Sequence, residues 1–251
     1  MAVMFNLKSK SKELSSFIEG KRVVVVGPGG YLTGKNQGRL IDSYDVVIRP
    51  NLFSIPMELR KDYGSRTDIM FHNCGTPWMI GLKELIAKNP DEFDQLKMVV
   101  CPVIKADHSE HNFMSWSNDH KSACATNFNE VNRNNIPFYW IGVKDYKTLY
   151  NVIGCQPYTG ILTIMMLSHY WPQELYVTGF DFYSGSKVYY DGSLASNEKH
   201  LEHANRNGNH GAGCNNRQIE FLRDWIFTGG EFHDSAPRPD HVLFDILTNS
   251  K

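Results

Sequence analysis

The chain lacks a surplus of charge of either sign: 26 Lys and Arg stand against 27 Asp and Glu, a formal net charge of −1 over 251 residues. A nucleic-acid partner needs basic residues to neutralise its phosphates, so bulk charge argues against one. Long apolar runs are also missing. The best candidate for a membrane span, Ile161 to Leu167, falls far short of the ~20 residues a span requires, and Met1 to Lys21 has no apolar signal-peptide core. No CxxC pair occurs. The five cysteines, Cys74, Cys101, Cys124, Cys155 and Cys214, are scattered and odd in number, which argues against a disulfide framework and for reduced thiols. These absences predict a soluble, cytoplasmic protein without an integral membrane segment.

What is present suffices for one packed core. With 41% hydrophobic residues, a chain of this length buries a single core, so residues 1–251 are read as one domain. Apolar runs mark strands at Arg22 to Val26, Val46 to Arg49, Asp68 to Phe71, Lys97 to Cys101, Phe138 to Ile141 and Leu175 to Thr178. Helical spacing marks Leu7 to Ile18, Met79 to Lys88, Asp145 to Val152, Gly160 to His169 and Asn215 to Trp225. The strands are continuously apolar rather than alternating, the pattern of a parallel sheet covered on both faces. The fold class is therefore α/β, a Rossmann-like parallel sheet between helices. Pro102 to Asn135, rich in Asn, Asp, Ser and His, is too long for an ordinary connection and reads either as a solvated insertion or as a lid over substrate or acceptor. Ser235 to Asp240 reads as a turn before a short C-terminal helix.

The first strand opens the stretch VVVVGPGGYLTGKNQGRLIDSYDVVIRPN, Val23 to Asn51. A parallel strand that breaks at Gly27, Pro28, Gly29 and Gly30 offers backbone N–H groups at the sheet edge where nucleotide phosphates bind. A dinucleotide site asks for a third glycine where Leu32 stands and for an acidic residue where Arg49-Pro50-Asn51 ends the second strand. Asn51 can both donate to and accept from a ribose or a phosphate without adding charge, which suits a mononucleotide better than NAD. A purely structural glycine turn is the alternative.

A second constellation is more varied. Pro157-Tyr158-Thr159-Gly160 opens an apolar helix; the Thr159 hydroxyl can cap it, and the helix start favours an anion. The next strand ends at Gly179, which permits close backbone approach, and Tyr183 and Tyr189 follow. Two phenols are neutral donors able to hold a phosphate as its charge grows, the task a metal performs elsewhere. Packing is the competing role for these rings. His200, His203, His210 and Cys214 match none of the usual zinc frameworks, so no metal is expected. His210, in the polar loop GNHGAG, has the side chain suited to a general base near neutrality.

These motifs resemble the sialyltransferases, in two families at once. Gly27, Gly30, Leu32, Gly38, Ile41-Asp42-Ser43, Arg49 and Asn51 match the long sialylmotif of the animal-type family, and GSRTD from Gly64 matches the segment after it. PYTGILTIMMLSHYWPQELYVTGFDF resembles the short sialylmotif, and VYYD from Val188 the small third motif. TGFDFYSGSKVYY and HGAGCNNRQIEFL also resemble the bacterial family that sialylates lipooligosaccharide, in the tyrosine pair and in a histidine ten residues before Glu-Phe-Leu. The likeness covers most of the chain outside Pro102 to Asn135.

The resemblance implies a fold of the sialyltransferase variant of the GT-A type. It also implies an inverting, metal-independent transfer of a sialic acid, or of the related Kdn or Kdo, from a CMP-activated donor to a glycan hydroxyl. No cofactor is implied, since the CMP-sugar is a substrate. Asn51, Asn73, Gly27, Pro28, Gly29, Gly30, Thr159, Gly160 and Gly179 would meet the donor, Tyr183 and Tyr189 would hold the leaving phosphate, and His210 would be the catalytic base. Pro28 stands where both families carry asparagine, Tyr158 where the animal type has serine, and Asn215 where its histidine motif has glutamate. Val23 and Trp171 stand where secretory-pathway relatives pair two cysteines, which fits a reducing compartment. A non-catalytic CMP-sugar or glycan-binding module and a nucleotide-dependent oxidoreductase are the competing readings.

Overall fold

The computed structural model describes residues 10–102, 117–141, 143–183, 213–227 and 237–249. Helix α1 (Lys12–Ile18) starts at Ser11, whose hydroxyl accepts the Leu14 N–H at 3.2 Å, and it buries Leu14 and Ile18. Strand β1 (Arg22–Val26) follows with four buried valines, β-branched side chains that favour extended backbone. The chain then runs through α2 (Gly38–Asp42), β2 (Val46–Pro50), α3 (Arg60–Tyr63), β3 (Ile69–Phe71), α4 (Thr76–Lys88), α5 (Pro90–Asp94) and β4 (Met98–Cys101). Beyond these lie α6 (Ser117–Asn129), β5 (Phe138–Trp140), α7 (Val143–Ile153), α8 (Thr159–Ser168), β6 (Glu174–Thr178), α9 (Cys214–Phe227), β7 (Arg238–Pro239) and α10 (His241–Asn249).

The seven strands of the described residues form one sheet in the order β5-β4-β3-β2-β1-β6-β7, and their pairings are parallel. Because successive side chains of a strand point to opposite faces, β1 serves two cores. Val23 and Val25 pack with Leu14, Ile18, Leu162, Met166 and Leu222 on one face, while Val24 and Val26 pack with Leu32, Ile41 and Tyr63 on the other. Farther along the second face, Met70 and Val99 meet Leu82, Phe93, Cys124 and Phe128. Helix α8 is buried at every residue from Ile161 to Ser168, as expected of a helix that is apolar all round. The α/β fold with helices on both faces is the one its sequence pattern predicts.

From β1 the chain builds outward through β2, β3, β4 and β5, then returns to the other flank of β1 for β6 and β7. The strand order thus reverses between β1 and β6. Both strands lead out of the sheet on glycine, Gly27 after β1 and Gly179 after β6, and a crevice at such a switch point is where open α/β sheets bind ligands.

Three expectations are corrected. Part of Pro102 to Asn135 is regular: α6 buries Cys124 and Phe128 against α4 and α5, a packing that its weak amphipathic pattern hides. The stretch Ser235 to Asp240 supplies more than a turn, since Arg238 and Pro239 pair with Tyr176 and Val177 as a seventh strand; an edge strand tolerates proline because it needs few ladder donors. Finally, not all cysteines are reduced. Cys155, just past α7, and Cys214, at the start of α9, form a disulfide with Cα atoms 5.8 Å apart across 59 residues of sequence, while Cys74, Cys101 and Cys124 are free and buried. Only the packing of α9 against α7 brings the pair together. Among the described residues no helix is long and apolar enough to cross a membrane.

Candidate active site

The two glycine exits cross each other in contact. A Cβ on Gly27 would lie 2.3 Å from the Gly179 oxygen, one on Gly29 2.6 Å from the same atom, and one on Gly179 2.3 Å from the Gly27 oxygen. Gly179 also has φ +80°, a region that side chains disfavour. The turn's donors are engaged in this crossing: Gly27 N–H donates to Thr178 O and Gly29 N–H to Gly179 O, both at 2.8 Å. This corrects the expectation of bare N–H groups at Gly27 and Gly29, and neither these two nor Gly30 is among the residues lining the cavity. Pro28 and Gly179 line the cavity there, and the glycines are needed for the close approach of two strand ends.

The cavity at this switch point measures ≈ 190 Å³. Pro28, Pro50, Asn51 and Asn73 form one side; Tyr158, Thr159, Gly160 and Ile161 form another; Phe180, Asp181, Phe182 and Tyr183 complete it. Asn51 leaves β2 with φ +67° and donates its N–H to Phe71 O at 2.6 Å, a left-handed conformation that asparagine tolerates better than most residues. The Asn73 Oδ1 accepts the Gly75 N–H at 3.0 Å, which fixes the orientation of its amide. Arg49 is buried and donates to the carbonyls of Tyr63 and Arg66 and to the Thr67 hydroxyl; it ties down the loop after α3.

Helix α8 points its first turn at the cavity. Its N-cap is Tyr158 rather than Thr159, and no side chain caps it, which corrects the role expected for the Thr159 hydroxyl. The first intrahelical bond is Leu162 N–H to Tyr158 O at 3.0 Å, so the N–H groups of Thr159, Gly160 and Ile161 precede the helical ladder, in the position from which a helix start binds an anion. Gly160 has no room for a side chain, since a Cβ would sit 2.4 Å from Cε1 of Phe180. On the far wall Phe182 and Tyr183 both adopt positive φ, +49° and +63°. Two consecutive left-handed non-glycine residues store strain of roughly 1–3 kcal/mol each, and the Tyr183 N–H is held by Asp181 Oδ1 at 3.1 Å. The Tyr183 ring stands edge-on to Tyr158, 5.8 Å between centroids.

Two residues of α9 hold both walls, Gln218, which the sequence reading does not name, and Asn215, which it names only as the start of a helix and as a departure from the family's glutamate. Gln218 of α9 is fully buried; its Oε1 accepts the Tyr158 N–H at 2.6 Å and its Nε2 donates to Cys214 Sγ at 3.1 Å. Asn215 donates from Nδ2 to Phe182 O at 3.0 Å. Helix α9 thereby grips the start of α8 and the strained Phe182-Tyr183 turn, with the Cys155–Cys214 link beside them. The amphipathic pattern of α9 shows which face is buried, yet nothing in it shows what Gln218 touches. Beneath the Asn51–Asn73 side, burial pushes the His72 pKa down to about 4 against a smaller opposing effect of Cys101, so this histidine is neutral near pH 7.

Of the expected site residues, the fold brings Pro28, Asn51, Asn73, Thr159, Gly160, Gly179 and Tyr183 onto one cavity. Tyr189 and His210, like His200 and His203, lie outside the described residues. Among the described residues no group of three His, Cys, Asp or Glu side chains is placed to hold a metal ion.

The family model "Glycosyltransferase family 29 (sialyltransferase)" matches residues 2–224. Among solved structures, the sialyltransferase CstII from Campylobacter jejuni in complex with the substrate analogue CMP-3FNeuAc is 18% identical, with a TM-score of 0.51 over 86% of this chain and 87% of that one. A mammalian sialyltransferase in complex with Gal-β-1-3GalNAc-ortho-nitrophenol is 17% identical, with a TM-score of 0.49 over 94% of this chain and 75% of that one. No curated protein matches the chain significantly. At 18% identity the likeness to CstII speaks for the fold; the family match spans most of the sequence, and on that ground the chain belongs to glycosyltransferase family 29, the sialyltransferases, enzymes that use CMP-sugar donors.

Proposed function

We propose that the chain transfers a sialic acid, or the related Kdn or Kdo, from its CMP conjugate to a glycan hydroxyl, with inversion and without a metal ion. The observation that carries the reading is one cavity at the β1–β6 switch point, to which five separate stretches of sequence contribute Pro28, Asn51, Asn73, Thr159 with Gly160, and Tyr183. Asn51 and Asn73 are suited to the cytidine and its ribose. The first turn of α8 and the Tyr183 hydroxyl are suited to the phosphate, with Tyr189 as the second phenol.

The roles of Tyr189 and His210 rest on the resemblance to the sialyltransferases. The acceptor hydroxyl attacks the anomeric carbon from the face opposite the phosphate and gives its proton to His210, which becomes an imidazolium. The bond from the anomeric carbon to the phosphate oxygen breaks, and CMP departs with that electron pair, its growing charge met by the phenol donors and the helix start. The transition state carries oxocarbenium character, so alignment and charge stabilisation matter more than nucleophile strength. His210→Ala is expected to bind CMP as the parent does and to lose transfer; retained turnover removes His210 from the role.

A thermal-shift panel of CMP, CDP, UDP and NAD tests the donor, because a ligand that binds the native state raises its melting temperature. A shift with NAD and none with CMP overturns the reading. CMP binding with no release of CMP in the presence of any glycan acceptor leaves a binding module instead of an enzyme. The whole of 1–251 acts as one catalytic domain in this proposal, with 102–135 contributing to the acceptor side. The cytoplasm, expected from the sequence, is the proposed location, and the Cys155–Cys214 disulfide weighs against it. A thiol count on protein taken from its native cell decides between the two.

A further inference from the structure

The C-terminal segment reaches back into the crossing of the two glycine exits. Asp240 is 4% exposed and lies between β7 and α10. Its N–H donates to Val177 O at 2.9 Å, and its Oδ1 accepts the Leu243 N–H at 2.9 Å as the cap of α10. The other oxygen, Oδ2, accepts from the Thr178 hydroxyl at 2.6 Å and from the Tyr31 hydroxyl. Tyr31 in turn accepts the Gly179 N–H at 2.7 Å. A continuous line of hydrogen bonds therefore runs from a buried carboxylate through a phenol to the backbone of a residue on the cavity wall. Burial first, and the Asp240 charge second, push the Tyr31 pKa up, so the phenol keeps its proton and stays a donor to Asp240 while it accepts from Gly179.

We propose that Tyr31 and Asp240 are positioning residues for the CMP-sugar, acting through Gly179 to fix the backbone from which the wall Phe180 to Tyr183 departs. The inference rests on the reading of this cavity as the donor site. Tyr31 lies within the long-motif stretch but is not one of its matched positions, and the family match ends at residue 224, before Asp240. Two features make Gly179 the point through which such control acts. It has φ +80°, and a Cβ on it would stand 2.3 Å from the Gly27 oxygen, so its backbone is packed directly against that of Gly27 at the start of the cavity wall. And its N–H lies just past the end of β6, where the Tyr31 hydroxyl takes the place of a ladder acceptor.

A purely structural role for Asp240, as helix cap and as anchor of β7, changes stability and leaves nucleotide affinity alone. Calorimetric titration of the full chain with CMP separates the two, using the parent, Tyr31→Phe, Asp240→Asn and the double variant, each under conditions where thermal melts show it folded. Tyr31→Phe keeps the ring and removes only the hydroxyl; it is expected to weaken CMP binding about tenfold, the scale of one charge-linked hydrogen bond. Asp240→Asn, nearly isosteric, turns either an acceptor for Leu243 or one for Tyr31 into a donor and is expected to weaken binding similarly. Because both act along one line of bonds, the double variant should bind no more weakly than the worse single. CMP affinity within twofold of the parent in Tyr31→Phe overturns the proposal, as do losses that simply add. If Asp240→Asn does not fold, Tyr31→Phe alone decides. A parent that fails to bind CMP overturns the donor-site reading, and this inference with it; a parent that binds beside an equally competent Tyr31→Phe overturns this inference alone.

Discussion

Gly160 shows how much a single position in this site decides. Its missing side chain leaves room for the Phe180 ring, and a Cβ there would stand 2.4 Å from Cε1. Gly160→Ala is expected to tilt that ring into the cavity, weakening CMP at least tenfold in a binding titration while costing about 1–3 kcal/mol of stability, the usual range for overpacking. The residue was legible as part of a helix start; its partner was not, because Phe180 comes from another strand end. His72 carries a different kind of prediction. Its folded pKa of about 4 lies below its ordinary 6.5, so between those values the unfolded chain holds a proton that the folded chain lacks, and stability rises with pH. The contribution is complete above pH 6.5 and is lost as pH falls toward 4, in all about 3 kcal/mol at 1.36 kcal/mol per pH unit. Urea unfolding at pH 7 and pH 4.5 should show a smaller acid loss for His72→Gln than for the parent; equal losses would exclude His72 as the source.

At the scale of elements, α8 and α9 act as a pair. Helix α8 is readable from Pro157, Thr159 and its apolar run, but the Thr159 hydroxyl does not cap it; its N-cap residue Tyr158 is instead held through its own N–H by Gln218, 60 residues away. Gln218→Leu leaves this N–H buried and unpaired and removes the contact that sets the start of α8. We expect a loss of about 1–3 kcal/mol in stability together with weaker CMP binding, measured by urea unfolding and titration on the same preparation. Gln218→Glu, which keeps an acceptor oxygen, should recover more of the CMP affinity than Leu does; equal loss in both would show that packing rather than the hydrogen bond matters. Strands were read more reliably than caps. A buried parallel strand is written in contiguous valines and isoleucines, as in Val23 to Val26, whereas β7 is two residues long and has no pattern to read.

For the whole molecule, the Cys155–Cys214 link closes 59 residues of sequence, including the stretch that holds Tyr189 and His210. Closing a loop of that length stabilises a fold by about 4 kcal/mol in the chain-entropy model. Dithiothreitol should therefore lower the urea midpoint, and a thiol titration of the denatured, unreduced chain should find three free thiols of the five; five would mean that the link is absent in that preparation. By itself the sequence determined the α/β class, most strand positions and the two families of motif, because burial and direction are coded locally by apolar runs and turn residues. Tertiary structure decided what those pieces mean to one another. It turned the glycines of the first motif from phosphate donors into a crossing with Gly179, paired two cysteines that no spacing links, and set Asn51, Thr159 and Tyr183 around one cavity. These are contacts between segments tens to more than a hundred residues apart, fixed by the order of strands in the sheet, and no local periodicity carries that order.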